Sequence, residues 1–298
     1  MTQNSIKDTI SKWSQKCDIF DIELIIAHII QKDQVFIMTH SEHILTKKQQ
    51  KQISLLCQKR FDGYPLAYIL KHKEFYARDF IINEHTLVPR PETELLITET
   101  LSFISKKKLS DILIIDIGTG SGIIAVTLAK ELSKKNIQTT IRASDISSKA
   151  LVVAKQNTKL HQVNITFYNS NLLNNHVLQN DIINTKCKNI IIVSNLPYVD
   201  IKQKDNLLKQ PESQALYFEP SSALWSSDNG LLHYKKLILQ TIALQSNLDT
   251  PKKITSFYEI DPAQLNLLTD YLSSSTSESY NIKYFKDLSG KNRIVRWN

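Results

Sequence analysis

Two short stretches of this chain carry residues whose types and spacing point to chemistry. The first is Asn195-Leu196-Pro197-Tyr198, which follows the apolar run 190–193. An asparagine side-chain oxygen and the backbone carbonyl of its neighbour are two acceptors able to hold both hydrogens of a planar NH2 group. Such a nitrogen has its lone pair delocalised into the adjoining π-system and is a poor nucleophile. Fixing its orientation, with about 3 to 3.5 Å to an electrophilic carbon, is the main contribution a protein can make to its attack. Pro197 stiffens the segment, and Tyr198 offers an aromatic face on which a planar substrate group would pack. The second stretch is Asp116-Ile117-Gly118-Thr119-Gly120-Ser121-Gly122, which gathers three of the six glycines in the chain. Glycines let backbone pass close to a ligand in turns that a Cβ would forbid. A dinucleotide fingerprint would require glycine where Ile123 stands, so the nicotinamide reading is weak and other nucleotide-like ligands remain open. Asp145 ends the next apolar run, where a carboxylate accepts two hydroxyl hydrogen bonds or caps a helix opening near Ser147.

These residues need elements to hold them, and the pattern supplies two kinds. Ile22, Ile25, Ile26, Ile29 and Ile30 repeat at the spacing of one helical face. Thr46-Lys47-Lys48-Gln49 reads as a capping box for a further helix with Ile53, Leu56 and Cys57, stopped by Gly63 and Pro65. Residues 75–88, with Phe80, Ile81 and Ile82 ahead of Asn83-Glu84, read as a short hairpin joining two domains. Pro91, Glu92 and Glu94 then suit a helix start with Leu95, Leu96 and Leu101 as its buried stripe. From Asp111 onward, apolar runs at 112–117, 140–143, 165–168, 190–193, 254–260, 282–285 and 294–297 alternate with helical windows near 123–133, 147–161 and 231–245. That alternation predicts a mainly parallel sheet covered by helices. The last two runs are joined by Leu288-Ser289-Gly290-Lys291-Asn292, too short for a crossover helix, so they should pair antiparallel. The glycine loop, Asp145 and the Asn195 tetrad all fall at carboxyl ends of strands, where α/β sheets bind ligands.

A parallel sheet that ends in an antiparallel hairpin resembles the Rossmann-like seven-stranded fold of S-adenosylmethionine-dependent methyltransferases. On that likeness Gly118, Thr119, Gly120, Ser121 and Gly122 border the cofactor, Asp145 takes its ribose hydroxyls, Leu172 faces its adenine, and Asn195 stands beside its methyl group. The tetrad resembles the signature of enzymes that methylate a planar exocyclic or amide nitrogen, which makes Asn195, Pro197 and Tyr198 the catalytic candidates. Matches continue outside it: Arg60-x-x-Gly63-x-Pro65-x-Ala67-Tyr68-Ile69, Glu74-Phe75, Pro89-Arg90-Pro91-Glu92-Thr93-Glu94, Glu219-Pro220-x-x-Ala223-Leu224, Asp228-x-Gly230-Leu231, Glu259-x-x-x-x-Gln264 and Asp287-Leu288-x-Gly290-x-x-Arg293. By these the whole chain is similar to the PrmC/HemK family, the protein-(glutamine-N5) methyltransferases that modify the glutamine of the GGQ motif in peptide chain release factors. The resemblance implies a helical substrate-binding domain over 1–73, a hairpin and linker over 74–95, and a catalytic domain over 96–298. It implies S-adenosylmethionine as cofactor, release factors as partners, and Asn195, Leu196, Pro197, Tyr198 and Arg90 around the substrate. Two positions depart from the family pattern. Leu196 stands where proline is usual, and Leu172 offers an apolar wall where an aromatic often lies.

Asn-Leu-Pro-Tyr is also similar to the form in rRNA adenine dimethyltransferases of the KsgA and Erm type, so methylation of adenine N6 in rRNA or DNA is the alternative. In that family the glycine loop comes near the N-terminus, with the extra helical domain after the sheet. Here residues 1–117 precede it. A non-enzymatic adaptor on the same fold would be expected to lack Asn195 or the glycines, and both are present.

Composition bounds the rest. In 298 residues, 42% are hydrophobic and 22% charged, the balance of a chain that builds a core rather than a disordered one. Cys17, Cys57 and Cys187 share no C-x-x-C spacing, and His40 and His43 have no acidic or cysteine cluster with them, so neither a disulfide framework nor a metal site is expected. The net charge of +8 comes from scattered lysines, with one run at Lys106-Lys107-Lys108, and direct nucleic-acid binding is not expected. No signal peptide and no membrane-length apolar window is read, so the expected location is the cytoplasm.

Overall fold

The computed structural model describes residues 4–249, 252–275 and 280–298. The chain divides into two compact units, residues 1–73 with 208–218, and residues 74–207 with 219–298.

The first unit is helical: α1 (Ile6–Trp13), α2 (Ile19–Ile30), α3 (Gln34–Thr39), α4 (Lys47–Phe61) and α5 (Leu66–Leu70). The capping box read at Thr46 is formed, the Thr46 hydroxyl accepting from Gln49 N–H and Gln49 Oε1 accepting from Thr46 N–H. Ile22, Ile25 and Ile26 are buried with Ile6, Trp13, Ile53 and Cys57, while Ile29, Ile30 and Leu56 pack at the margin. Gly63 ends the α4 segment in left-handed backbone (φ +91°). Pro65 does more than stop a helix: it caps α5, whose five residues are too few to show a period.

In the second unit, β1 (His72–Phe75) and β2 (Arg78–Ile81) form a two-stranded hairpin. The hairpin expected over 75–88 thus begins earlier, at His72, and ends at Ile81. The turn is Tyr76-Ala77, both at positive φ (53° and 54°), as a two-residue hairpin loop requires, but neither residue belongs to the types that signal it. Next, α6 (Thr93–Lys106) begins two residues after Pro91 and buries Thr93, Leu96, Ile97, Thr100, Leu101 and Ile104; Leu95, expected in that stripe, is half-buried.

The sheet strands are β3 (Ile112–Ile117), β4 (Thr139–Asp145), β5 (Thr166–Asn169), β6 (Asn189–Ser194), a short β7 (Val199–Asp200) with β8 (Trp225–Ser226) outside the main sheet, β9 (Lys253–Glu259), β10 (Ile282–Lys286) and β11 (Asn292–Trp297). Between them lie α7 (Ile123–Lys134), α8 (Ser148–Leu160), α9 (His176–Ile183), α10 (Lys204–Leu208), α11 (Ser221–Leu224), α12 (Leu232–Ser246) and α13 (Leu265–Ser274). Among the described residues the main sheet has seven strands in the order β10-β11-β9-β6-β3-β4-β5. Only β11 runs antiparallel to its neighbours, as the short 288–292 connection demanded. β3 is buried along its whole length, five of its six residues apolar, as in a strand covered on both faces. Its register sets the site: Ile117 is level with Ser144 of β4 and Ser194 of β6, and Ser194 with Tyr258 of β9. The residues that follow these four positions therefore emerge side by side at one edge.

Asn157 of α8, fully buried, fastens the hairpin to the glycine loop. Its Oδ1 accepts from Ile81 N–H (2.7 Å), and its Nδ2 donates to Ile81 O (3.0 Å) and Ser121 O (2.8 Å). Removing it leaves buried backbone groups unpaired, at about 1 to 3 kcal/mol for each group. Asn157→Ala is expected to lower the unfolding free energy by about 2 to 4 kcal/mol in denaturant titration. An unchanged midpoint would show that water replaces these bonds without loss.

Candidate active site

The carboxyl edge of the sheet opens into a cleft lined by Arg90, Thr93, the glycine loop, Asp145, Leu172, Asn195, Leu196, Pro197 and His233 among others. Gly118, Gly120 and Gly122 all have positive φ (73°, 56° and 82°), which explains their grouping. A Cβ on Gly118 would lie 2.8 Å from Leu196 Cδ2, and one on Gly122 3.1 Å from Ala154 Cβ. Nothing lies within 4 Å of the corresponding point on Gly120. Gly118 N–H and Thr119 N–H both donate to Ser144 O (2.9 Å each), so the loop is strapped across the end of β4.

Asp145 holds that loop from the side. Its Oδ2 accepts from Gly120 N–H and its Oδ1 from Ser147 N–H, each at 2.8 Å. The cap of α8 is the Ser147 hydroxyl, which accepts from Ala150 N–H, so Asp145 is not the helix cap. A carboxylate has about four acceptor positions, so these two bonds do not exhaust it. Desolvation raises its pKa above the ordinary value against these backbone donors. Asp116, beneath the loop, is wholly buried; it accepts from the Thr119 hydroxyl (2.6 Å) and Ala125 N–H (3.2 Å), and burial pushes its pKa up to about 7.

Asn195 emerges from β6 with Nδ2 donating to Thr93 Oγ1 at 3.0 Å, which leaves Oδ1 as its free acceptor. Leu196, in place of a proline, keeps an N–H, and this donates to Tyr234 Oη at 3.0 Å. The Tyr234 hydroxyl donates in turn to Glu259 O. A proline has no such donor. The stiffness lost in the ring is thus supplied by a buried tyrosine that joins the tetrad to the end of β9. Below, Gln264 Nε2 donates to Tyr198 O (2.7 Å) and Asn229 O (2.9 Å), and Gly230 packs so closely that a Cβ would fall 2.0 Å from Tyr198 O.

Tyr198 departs from the expectation that its ring packs on a substrate. It is not among the cleft-lining residues; the ring packs on the sheet core and the hydroxyl donates to Glu259 Oε1 at 3.3 Å. The cause is Glu259 itself, a carboxyl that is 1% exposed and would otherwise have no neutral donor at Oε1. Burial pushes the Glu259 pKa up to about 7, opposed by the Thr93 and Tyr198 hydroxyls. Arg90 reaches the cleft, but its guanidinium pairs with Glu219 Oε1 at 2.6 Å, whose Oε2 accepts from Val88 N–H at 3.0 Å. The structure thus gathers Asn195, Leu196, Pro197, Asp145, Leu172, the glycine loop and Arg90 around one cleft and turns Tyr198 beneath it. Tyr234, Thr93 and Glu259 had no role in the residue reading; Glu259 and Thr93 stood only inside longer matched motifs, and Tyr234 carried no signal.

Family models match the chain in two places: a PrmC N-terminal domain over residues 17–70 and a methyltransferase small domain over 93–253. The release factor glutamine methyltransferase of Mycoplasma mycoides subsp. mycoides is 36% identical over 79% of this chain and 76% of its own. That of Flavobacterium psychrophilum is 34% identical over 93% and 86%. This chain belongs to the release factor glutamine methyltransferase family. It is therefore a methyltransferase, and the PrmC/HemK resemblance is borne out. The hMettl16 catalytic domain, solved in complex with the MAT2A 3'UTR hairpin 1, shares the fold at TM-score 0.54 and 13% identity, covering 91% of this chain and 90% of that one. No helix among the described residues is long and apolar enough to cross a membrane.

Two outcomes follow from the buried hydroxyls and carboxyls. Tyr234→Phe leaves Leu196 N–H and Glu259 O without their partner, and is expected to cost about 1 to 3 kcal/mol in unfolding free energy; a cost near zero in denaturant titration would mean that the clamp is dispensable. Glu259 and Asp116 release protons near 4 when unfolded but near 7 when folded. The folded state thus binds more protons between these values, and this contribution to stability is full at low pH and lost as pH rises through 7. Unfolding free energy is expected to fall from about pH 5 to about pH 7, and Glu259→Gln to flatten that fall. A slope unchanged in the variant would show that Glu259 titrates normally.

Proposed function

We propose that the protein transfers a methyl group from S-adenosylmethionine to the side-chain amide nitrogen of the glutamine in the GGQ motif of release factors. The observation that carries the reading is a joint one. Relatives named as release factor glutamine methyltransferases match through both domains, and Asn195 and Leu196, whose acceptors would hold an amide, line the cleft.

The residues fit the cofactor. Gly120 offers open backbone where nothing crowds a ligand, and Asp145 keeps acceptor positions free beside it. Residues 118–122, Asp145, Leu172 and Asn195 would hold it, Leu172 as an apolar wall. Bound there, S-adenosylmethionine supplies a methyl group activated by its sulfonium. The protein's own share is placement. Asn195 Oδ1 accepts one amide hydrogen and the Leu196 carbonyl the other, so that the substrate nitrogen is held in line. Pro197 keeps these acceptors at a fixed separation, and Tyr198 anchors the loop from below. The amide proton departs late, and no strong general base is required. Arg90, paired with Glu219, borders the substrate side of the cleft. The helical unit holds the release factor, and the working compartment is the cytoplasm, where termination takes place.

With unmodified release factor as substrate, Asn195→Ala is expected to lower kcat by about 100-fold or more while leaving S-adenosylmethionine affinity within a few-fold. Turnover near the wild-type rate would remove the orienting role. Asp145→Ala is expected to weaken S-adenosylmethionine binding about ten-fold or more in calorimetry, the scale of hydrogen bonds to a charged group. Unchanged affinity would leave Asp145 as a strap for Gly120 alone.

A further inference from the structure

Two acceptors are asked to hold the substrate amide, Asn195 Oδ1 and Leu196 O, and one peptide unit lies between the residues that carry them. That unit is the Asn195 carbonyl with the Leu196 N–H. It is planar, and its direction sets the ψ of Asn195 and the φ of Leu196, so the two acceptors turn with it. The ladder of β6 ends at Ser194, and no strand partner fixes this plane. The other torsion of Leu196, its ψ, is already restricted by Pro197, which disfavours all but extended values in the residue before it.

The plane is held by Tyr234, on the first turn of α12. Its hydroxyl accepts from Leu196 N–H at 3.0 Å and donates to Glu259 O at the end of β9. A hydroxyl has one proton and a backbone carbonyl can only accept, so that proton is committed to Glu259 and the Tyr234 oxygen faces Leu196 as an acceptor. The direction of both bonds is therefore set. The tyrosine is itself fully buried, and its ring centre lies 5.1 Å from that of Tyr258, the residue before Glu259. On the cofactor side the Leu196 side chain sits over the glycine loop, its Cδ2 2.8 Å from the place of a Cβ on Gly118. Residue 196 is thus held by its N–H and by its side chain, and its carbonyl is the group that neither contact engages.

We propose that Tyr234 is a positioning residue for methyl transfer: it fixes the peptide unit between Asn195 and Leu196 and so sets the geometry of the two acceptors toward the substrate amide. This deepens the proposed function and rests on it for the identity of the substrate. A proline at 196 would fix the same φ by its ring and would have no N–H to offer. The role of Tyr234 therefore carries its own signature. Loss of the hydroxyl costs turnover when residue 196 has an N–H, and not when it has none.

The test is a double-mutant cycle between positions 234 and 196. Tyr234→Phe keeps the ring and is expected to lower kcat on release factor about ten-fold, with KM and S-adenosylmethionine affinity nearly unchanged. In a Leu196→Pro background the same substitution is expected to change kcat by less than about two-fold. The bond to Glu259 O is lost in both backgrounds, so an effect through the fold alone would be equal in both. A readout without substrate accompanies the kinetics: the Leu196 amide proton, followed by NMR, should exchange slowly in the wild type and about ten-fold faster or more in Tyr234→Phe. Equal losses of kcat in the two backgrounds overturn the inference. A folded Tyr234→Phe with kcat within about two-fold of wild type does so too, as does a Leu196 amide that exchanges equally fast in both proteins. If Leu196→Pro does not fold, the kcat of Tyr234→Phe and the Leu196 exchange decide between them. A wild type that labels RNA adenine rather than release factor refutes the proposed function instead, and the same cycle, run on that acceptor, still decides the role of Tyr234.

Discussion

The site depends on one ladder of backbone hydrogen bonds. β3 pairs residue for residue with β4 on one side and β6 on the other, and β6 with β9, so that Ile117, Ser144, Ser194 and Tyr258 stop at one level. The next residues along each strand are Gly118, Asp145, Asn195 and Glu259. Four chain segments far apart in sequence thus place a glycine-rich loop, two carboxyls and an amide within one edge. A slip of one residue in any pair would turn these side chains to the opposite face. The register is further pinned by Asp116, the one polar residue of the buried β3, whose carboxylate accepts from the Thr119 hydroxyl and Ala125 N–H.

Above that edge, flexible groups are fixed by buried polar bonds rather than by a rigid sequence. Leu196 illustrates the exchange. A proline ring would stiffen the tetrad alone, whereas leucine needs Tyr234 to hold its N–H, and Tyr234 ties that N–H to the carbonyl of Glu259. Glu259 carries a cost as well. A carboxyl at 1% exposure favours the neutral form and makes the fold less stable as pH rises.

Much of the architecture was legible because it rests on period and punctuation. Seven apolar runs gave the seven strands, with bounds shifted by at most a few residues, and the short 288–292 connection gave the antiparallel β11. The Ile22, Ile25, Ile26 stripe and the Thr46 box gave α2 and α4. Elements without a signal were missed: α5 is too short for a period, and the hairpin turn at Tyr76-Ala77 uses neither glycine nor asparagine. At the cleft, the glycine loop, Asp145 and the tetrad were visible because their chemistry shows in residue type. The direction of the Tyr198 ring was not, since it follows from a buried carboxyl 61 residues away. Nor were Tyr234 and Thr93, whose importance lies in one hydroxyl contact each.

The central claim is that the nitrogen held at Asn195 belongs to a glutamine amide. It is tested most directly by incubating the purified protein with methyl-labelled S-adenosylmethionine and, in separate reactions, unmodified release factor and unmodified small-subunit rRNA, and then locating the label by mass spectrometry. Label on the GGQ glutamine of the release factor, with none on the RNA, is the predicted result. Label on an adenine, with the release factor left unmodified, would contradict the account.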